Sequence, residues 1–199
     1  MDFKVAQQED EIELVCSEPA DLIPGYTLME KMGDGSLTTV YKVCKQGINE
    51  IFAAKVLRSQ FSTSPRTVKR FVQEAKKATV LNNPHVVSVY EVGKTTTGQP
   101  FVICDFVDGG TLAERLAAEG RLDDLTTVDM LLQICEGLKS AHNNDFIHRD
   151  TNPGNIVFKN TAEGQLAKLA DFGIAKALPG PGRETKYTTP EDQVNSNTC

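Results

Sequence analysis

Between Tyr26 and Leu57 the chain alternates apolar and polar residues in three short runs. These are Tyr26–Met32, Thr39–Lys45 and Ile51–Leu57, each rich in Val, Ile, Tyr and Thr. Side chains on a strand point alternately to opposite faces, so each run can bury one face. Gly33–Ser36 and Gln46–Glu50 separate the runs as turns, which gives an antiparallel meander.

The period then becomes helical. Ser64 can cap a helix, Pro65 suits its first turn, and Val68, Phe71, Val72 and Ala75 share one face; Asn82-Asn83-Pro84 ends it. Two further strands fit Val86–Val92 and Phe101–Phe106, joined through Thr95–Gln99. Thr111 and Glu114 form a capping box for a short helix that leaves through Gly120. A longer helix over Leu125–Asn143 is expected to bury Val128, Leu131, Leu132, Cys135 and Leu138. After it come short strands, a hairpin around Thr161–Gln165 and a Gly/Pro-rich segment from Leu178. Five strands with one inserted helix, followed mostly by helix, predict a two-lobed α+β fold with a cleft between the lobes.

Composition narrows the function classes. Residues 1–24 hold Lys4 and seven acids, a net of −6, and the remaining 175 residues carry 20 charges of each sign. The region 1–25 is therefore expected to be an acidic flexible leader, and the neutral body argues against a nucleic-acid binder. No apolar run is long enough to span a membrane. Five scattered cysteines without a Cys-x-x-Cys pair fit reduced thiols in a cytoplasmic protein, and the three histidines lack metal-ligand spacing.

Four local signals follow one another. Gly33-Asp34-Gly35-Ser36 lies between two strands, where glycine lets backbone N–H groups approach phosphate oxygens. Lys55, in Ala53-Ala54-Lys55, is a cation inside an apolar strand and must find an anion or reach solvent. Glu74, on the next helix, can pair with it. His148-Arg149-Asp150 precedes Asn155, and Asp171-Phe172-Gly173 follows a short apolar strand. An Asp and an Asn on one loop, with a second Asp beyond, can converge on magnesium and a hydroxyl nucleophile.

In these motifs the sequence resembles the eukaryotic-type protein kinases, from about Tyr26 onward, and the runs Leu81–Val87 and Asp108–Leu112 look like the bacterial Ser/Thr branch. The resemblance implies a protein-kinase-like fold, with a strand-rich lobe over 26–104 and a partial helical lobe over 105–199. It implies that Met32, Gly33, Asp34, Gly35, Ser36, Val40 and Ala53 cover ATP, while backbone groups of Asp105 and Val107 hold the adenine edge. Lys55, held by Glu74, would grip the phosphates; Asn155 and Asp171 would hold Mg²⁺; Asp150 would accept the hydroxyl proton of a protein substrate. Cys104 takes the gatekeeper position.

Two departures bear on activity. Asn152 stands where Ser/Thr kinases place a lysine aimed at the transferring phosphoryl group, although Pro153-Gly154 beside it keeps the Ser/Thr pattern. Past Gly173 the chain runs 26 residues, with Thr189-Pro190-Glu191 only imitating the family's segment-ending motif, so a truncated domain of weakened activity is expected. Arg149 suggests control by phosphorylation at Thr185, Thr188 or Thr189, with Tyr187 less favoured. The alternative is a catalytically inactive pseudokinase or kinase fragment that binds nucleotide or a partner. A small-molecule phosphotransferase of aminoglycoside-kinase type is disfavoured by Arg149 and Phe172-Gly173.

Overall fold

The computed structural model describes residues 22–172. The acidic residues of the leader, Gly173, the candidate phosphorylation sites and Thr189-Pro190-Glu191 lie outside them. Strands β1 (Tyr26–Asp34), β2 (Thr38–Lys45) and β3 (Glu50–Leu57) form the expected meander. A short helix, α1 (Ser59–Ser62), which the sequence reading did not anticipate, leads into α2 (Pro65–Ala78). Strands β4 (Val89–Lys94) and β5 (Pro100–Asp105) complete an antiparallel sheet in the order β1-β2-β3-β5-β4. Helices α3 (Leu112–Glu119) and α4 (Asp124–His142), a 3-10 turn at Pro153–Asn155 and the hairpin of β6 (Ile156–Thr161) with β7 (Gly164–Leu169) follow.

The termini of the helices are satisfied as their sequences suggest. Ser64 accepts from the Thr67 N–H at the start of α2, and Thr111 and Glu114 make the reciprocal capping box of α3. The strand expected over Val86–Val92 begins later, at Val89. Val86 instead makes an isolated parallel bridge to Leu169, so the segment before β4 is spent joining the two sheets.

The five-stranded sheet buries both faces. Leu37, Leu57, Phe71, Ala75 and Val102 meet under α2. On the other face Tyr26, Val43, Phe52, Phe101 and Ile103 enclose Ile23, which is only 1% exposed. Ile23, which falls within the expected 1–25 leader, is thus a core residue of the strand-rich lobe.

Helix α4 turns a different face inward from the one expected. Met130, Ile134, Gly137 and Ala141 are buried, whereas Val128, Leu131, Leu132 and Cys135 are exposed and Leu138 packs only at the edge. The two sets lie roughly 120° apart round the helix. Close approach decides between them, because a Cβ on Gly137 would come within 2.6 Å of the His85 carbonyl oxygen. Only the face carrying Gly137 and Ala141 lets the helix backbone come so near the neighbouring segment.

Ile23→Ala should destabilise the domain by about 2–4 kcal/mol, since the side chain is fully enclosed. Chemical unfolding measures this, and a loss no larger than that of a surface substitution would return Ile23 to the leader.

Candidate active site

Lys55 sits in the middle of β3, opposite Val40 of β2 on one side and Val102 of β5 on the other. Its side chain is 13% exposed, and its ammonium pairs with the Asp171 carboxylate. Burial works against the charge, but the neighbouring carboxylate outweighs it, and the lysine's pKa is raised. The expected Lys55–Glu74 pair is not formed. Glu74 lies 3.5 Å from Lys77, one turn along α2, and faces a cavity of about 380 Å³ that Phe146 and Arg149 also line. With Asp171 already against Lys55, the ammonium has its counter-ion, and α2 is free to turn its carboxylate elsewhere.

The loop after α4 is built around His148, which is 1% exposed. Its Nδ1 accepts from the Asp150 N–H at 3.3 Å, so the proton is assigned to Nε2, which donates to the Ala170 carbonyl at 2.8 Å. The ring also stands edge-on to Phe172, with centroids 4.4 Å apart. One imidazole therefore fixes Asp150 and the residue preceding Asp171. Both Arg149 and Asp171 take left-handed backbone conformations, at φ 64° and 61°, which sharpen the turns that present these side chains. Asn155 donates from Nδ2 to the Asp150 carbonyl at 2.9 Å and to Asp150 Oδ2 at 3.0 Å. Asn152 folds back on its own loop: Oδ1 accepts from the Gly154 N–H at 2.9 Å, and Nδ2 donates to the Asp150 carbonyl at 3.0 Å. It caps the 3-10 turn.

The other expected contacts are distributed as follows. Met32, Gly33 and Asp34 belong to β1 and are exposed, and Gly33 pairs with Val40. Asp34 accepts from Lys31 and Thr39, each at 2.7 Å, and those two bonds hold its carboxyl below the usual range. The Gly35 N–H is bonded to the Thr38 carbonyl at 2.8 Å, so this amide closes the turn; Ser36 is exposed at its tip. Ala53 lies opposite Cys104, whose Sγ is 3.6 Å from the Ala53 carbonyl. Burial pushes the Cys104 thiol up to about 11, which makes it an uncharged wall. The Asp105 N–H is committed to the Ser88 carbonyl at 3.0 Å, and Val107 follows half-buried beyond the strand's end.

Two residues of this neighbourhood went unread in the sequence. Lys168 and Tyr90 both bind the Asp105 carboxylate, at 2.8 and 2.6 Å. A lysine in the apolar run Leu166–Ala170 was the available signal, by the same reasoning that singled out Lys55.

The donor set suits magnesium. Among the described residues no group of three or more His, Cys, Asp or Glu could cage a metal. Asp171 offers carboxylate oxygen, and Asn155, whose Nδ2 is turned to Asp150, offers its amide oxygen. Mg²⁺ is ordinarily held by one or two such hard oxygens together with nucleotide phosphates.

Burial lowers the His148 pKa, so the unfolded chain takes up a proton at higher pH than the folded one. The stability contributed by neutral His148 is complete above the unfolded value, about 6.5. It is lost as the pH falls below that towards the folded value. Urea midpoints measured at pH 7.5 and 5.5 should show a smaller acid-side loss in His148→Asn than in the wild type; equal losses would contradict the assignment.

Known proteins resemble the chain in sequence and in fold. The chain matches the protein kinase domain family over residues 26–192. It is 32% identical over 173 residues to the serine/threonine-protein kinase PknB of Mycobacterium tuberculosis, covering 85% of this chain and 27% of that protein. It is 34% identical over 153 residues to a probable serine/threonine-protein kinase, CPE1738, of Clostridium perfringens, covering 77% and 22%. The chain therefore spans about a quarter of the length of these relatives. The crystal structure of the Mycobacterium tuberculosis PknI kinase domain superposes with a TM-score of 0.65 at 30% identity, over 79% of this chain and 64% of that one. With a five-stranded lobe, a helical lobe and this loop architecture between them, the chain belongs to the protein kinase domain family.

Proposed function

We propose that the domain is an ATP-dependent protein serine/threonine kinase, transferring the γ-phosphoryl group of Mg·ATP to a protein hydroxyl. The observation that carries the reading is the Asp150–Asn155 pair. Asn155 donates to Oδ2 of Asp150 and so holds the carboxylate in place. The second carboxylate oxygen is then the acceptor for the substrate hydroxyl proton, as general-base catalysis requires. The Ser/Thr assignment rests on Pro153-Gly154 and on the relatives, which are themselves named serine/threonine kinases.

Each remaining residue has a role compatible with its surroundings. Lys55 lies deep enough for its charge to act through a low dielectric on the α- and β-phosphates, and Ala53 and Val40 provide apolar cover for the adenine. Asp171 and Asn155 would hold Mg²⁺, which when bound neutralises charge on the β- and γ-phosphates. Nucleotide entry then requires Lys55 and Asp171 to part, the lysine turning to phosphate and the carboxylate to the cation. Glu74 can take over the lysine if α2 rotates towards the cleft. His148 keeps the loop geometry throughout, because its bonds go to backbone groups on either side.

One observation favours a second reading, nucleotide binding without efficient transfer. The Asn152 amide is spent on its own loop, so no cation from this position faces the transferring group. A preorganised charge of that kind is typically worth about a hundredfold or more in rate.

Mg·ATP binding, measured by calorimetry, should weaken at least about tenfold in Lys55→Ala and in Asp171→Ala, the scale of a lost charged hydrogen bond. Equal affinity in all three proteins would remove the ATP site from this cleft.

Asn152→Lys should raise kcat on the order of tenfold to a thousandfold with little change in the KM for ATP, since the new contact acts in the transition state. It should also cost about 1 kcal/mol of stability through loss of the cap. Turnover in the wild type that the substitution leaves unchanged would contradict this role for position 152. Absence of turnover in both proteins would favour the second reading.

A further inference from the structure

The most deeply buried ion pair among the described residues that show one lies away from the reacting groups. Lys168 Nζ is 2.8 Å from Asp105 Oδ2, with side chains only 7% and 9% exposed. Lys168 is in β7 of the lower hairpin, and Asp105 is the last residue of β5 in the upper sheet. The same carboxylate accepts from the Ser88 N–H at 3.1 Å and from the Tyr90 hydroxyl at 2.6 Å. Its own backbone N–H returns to the Ser88 carbonyl. Asp105 is therefore gripped through main chain and side chain together, by residues from two separate parts of the fold, the start of β4 and β7.

A lysine buried this far carries a large desolvation cost unless an anion meets it. Three donors on the carboxylate supply that match. Burial alone would raise the Asp105 pKa, but the hydrogen bonds from Lys168, Tyr90 and Ser88 outweigh it and the pKa is lowered, which favours the carboxylate. What it joins matters more than its strength. Lys168 stands three residues before Asp171, and its neighbour Leu169 bonds through both backbone groups to His85 and Val87. Asp105 begins the segment on which the adenine edge is proposed to rest. One pair thus connects the strand that presents the metal-binding carboxylate to the segment that meets the base.

We propose that Lys168 is a positioning residue whose ion pair with Asp105 straps the segment after β5 to the strand leading into Asp171, holding the two ends of the nucleotide at a fixed spacing. The nucleotide part rests on the ATP site proposed above; the strap itself does not. Breaking it lets the end of β5 and the end of β7 move independently. A nucleotide that touches both must then order them on binding, and its affinity falls.

Lys168→Met tests both parts, because Asp105 keeps Ser88 and Tyr90 as donors. Amide hydrogen exchange should accelerate on the order of tenfold at residues 105–110 and 168–171, with residues 26–45 of the meander unchanged. Affinity for Mg·ATP should fall on the order of tenfold, the ordinary range of coupling between linked sites. Should the single variant fail to fold, Asp105→Leu combined with Lys168→Met removes both charges and gives the same two measurements in a core without an orphaned ion. Exchange that rises equally everywhere, or nowhere, would overturn the strap. Local acceleration with undiminished Mg·ATP affinity would overturn its positioning role. A wild-type protein that binds no nucleotide would count against the proposed function, and the exchange measurement would still decide whether the strap exists.

Discussion

Two buried lysines cross between the sheets, and the site takes its shape from them. Lys55 belongs to the upper sheet and finds its anion in Asp171, just past the lower hairpin. Lys168 belongs to that hairpin and finds its anion in Asp105, at the end of the upper sheet. Each strand places a lysine side chain where little water reaches it, and each is met by a carboxylate from the other side. Desolvation makes an unmatched partner costly, and that cost holds the two halves in register.

The pairs differ in what they can give up. Lys168 and Asp105 are locked by additional bonds from Ser88 and Tyr90, and nothing in the proposed chemistry asks them to part. Lys55 and Asp171 carry the charges that phosphate and magnesium would compete for, and Asp171 is about a third exposed. The first pair is suited to holding the frame, and the second to exchanging partners. Backbone bonds between Leu169 and the segment His85–Val87 add a third tie beside them, and Gly137 lets α4 press against the same segment.

Much of this was legible in the sequence because the determinants are local. The meander follows from alternation, α2 and α3 from their caps, and the loop residues from the spacing of His148, Asp150, Asn155 and Asp171. The rest depended on contacts that sequence spacing does not encode. Helix α4 carries apolar residues on two faces with the same period, and only the closeness of Gly137 to the His85 carbonyl selects the one around Met130, Ile134 and Ala141. Glu74 and Asp171 were equally able to neutralise Lys55, and a one-dimensional reading has no distance with which to choose. Ile23 follows directly on an acidic stretch, and a sequence displays charge there, not burial. Lys168 carries the same signal as Lys55, a cation among apolar strand residues, but without the glycine turn that precedes Lys55.

The central claim is that Lys55 and Asp171 are the pair that opens to admit a magnesium nucleotide while Lys168 and Asp105 stay closed. A crystal structure with Mg²⁺ and a non-hydrolysable ATP analogue measures this directly. The account predicts Lys55 on phosphate oxygen, Asp171 and Asn155 on the metal, and the Lys168–Asp105 distance unchanged from 2.8 Å. Nucleotide bound with the Lys55–Asp171 contact intact, or with Lys168 and Asp105 separated, would contradict it.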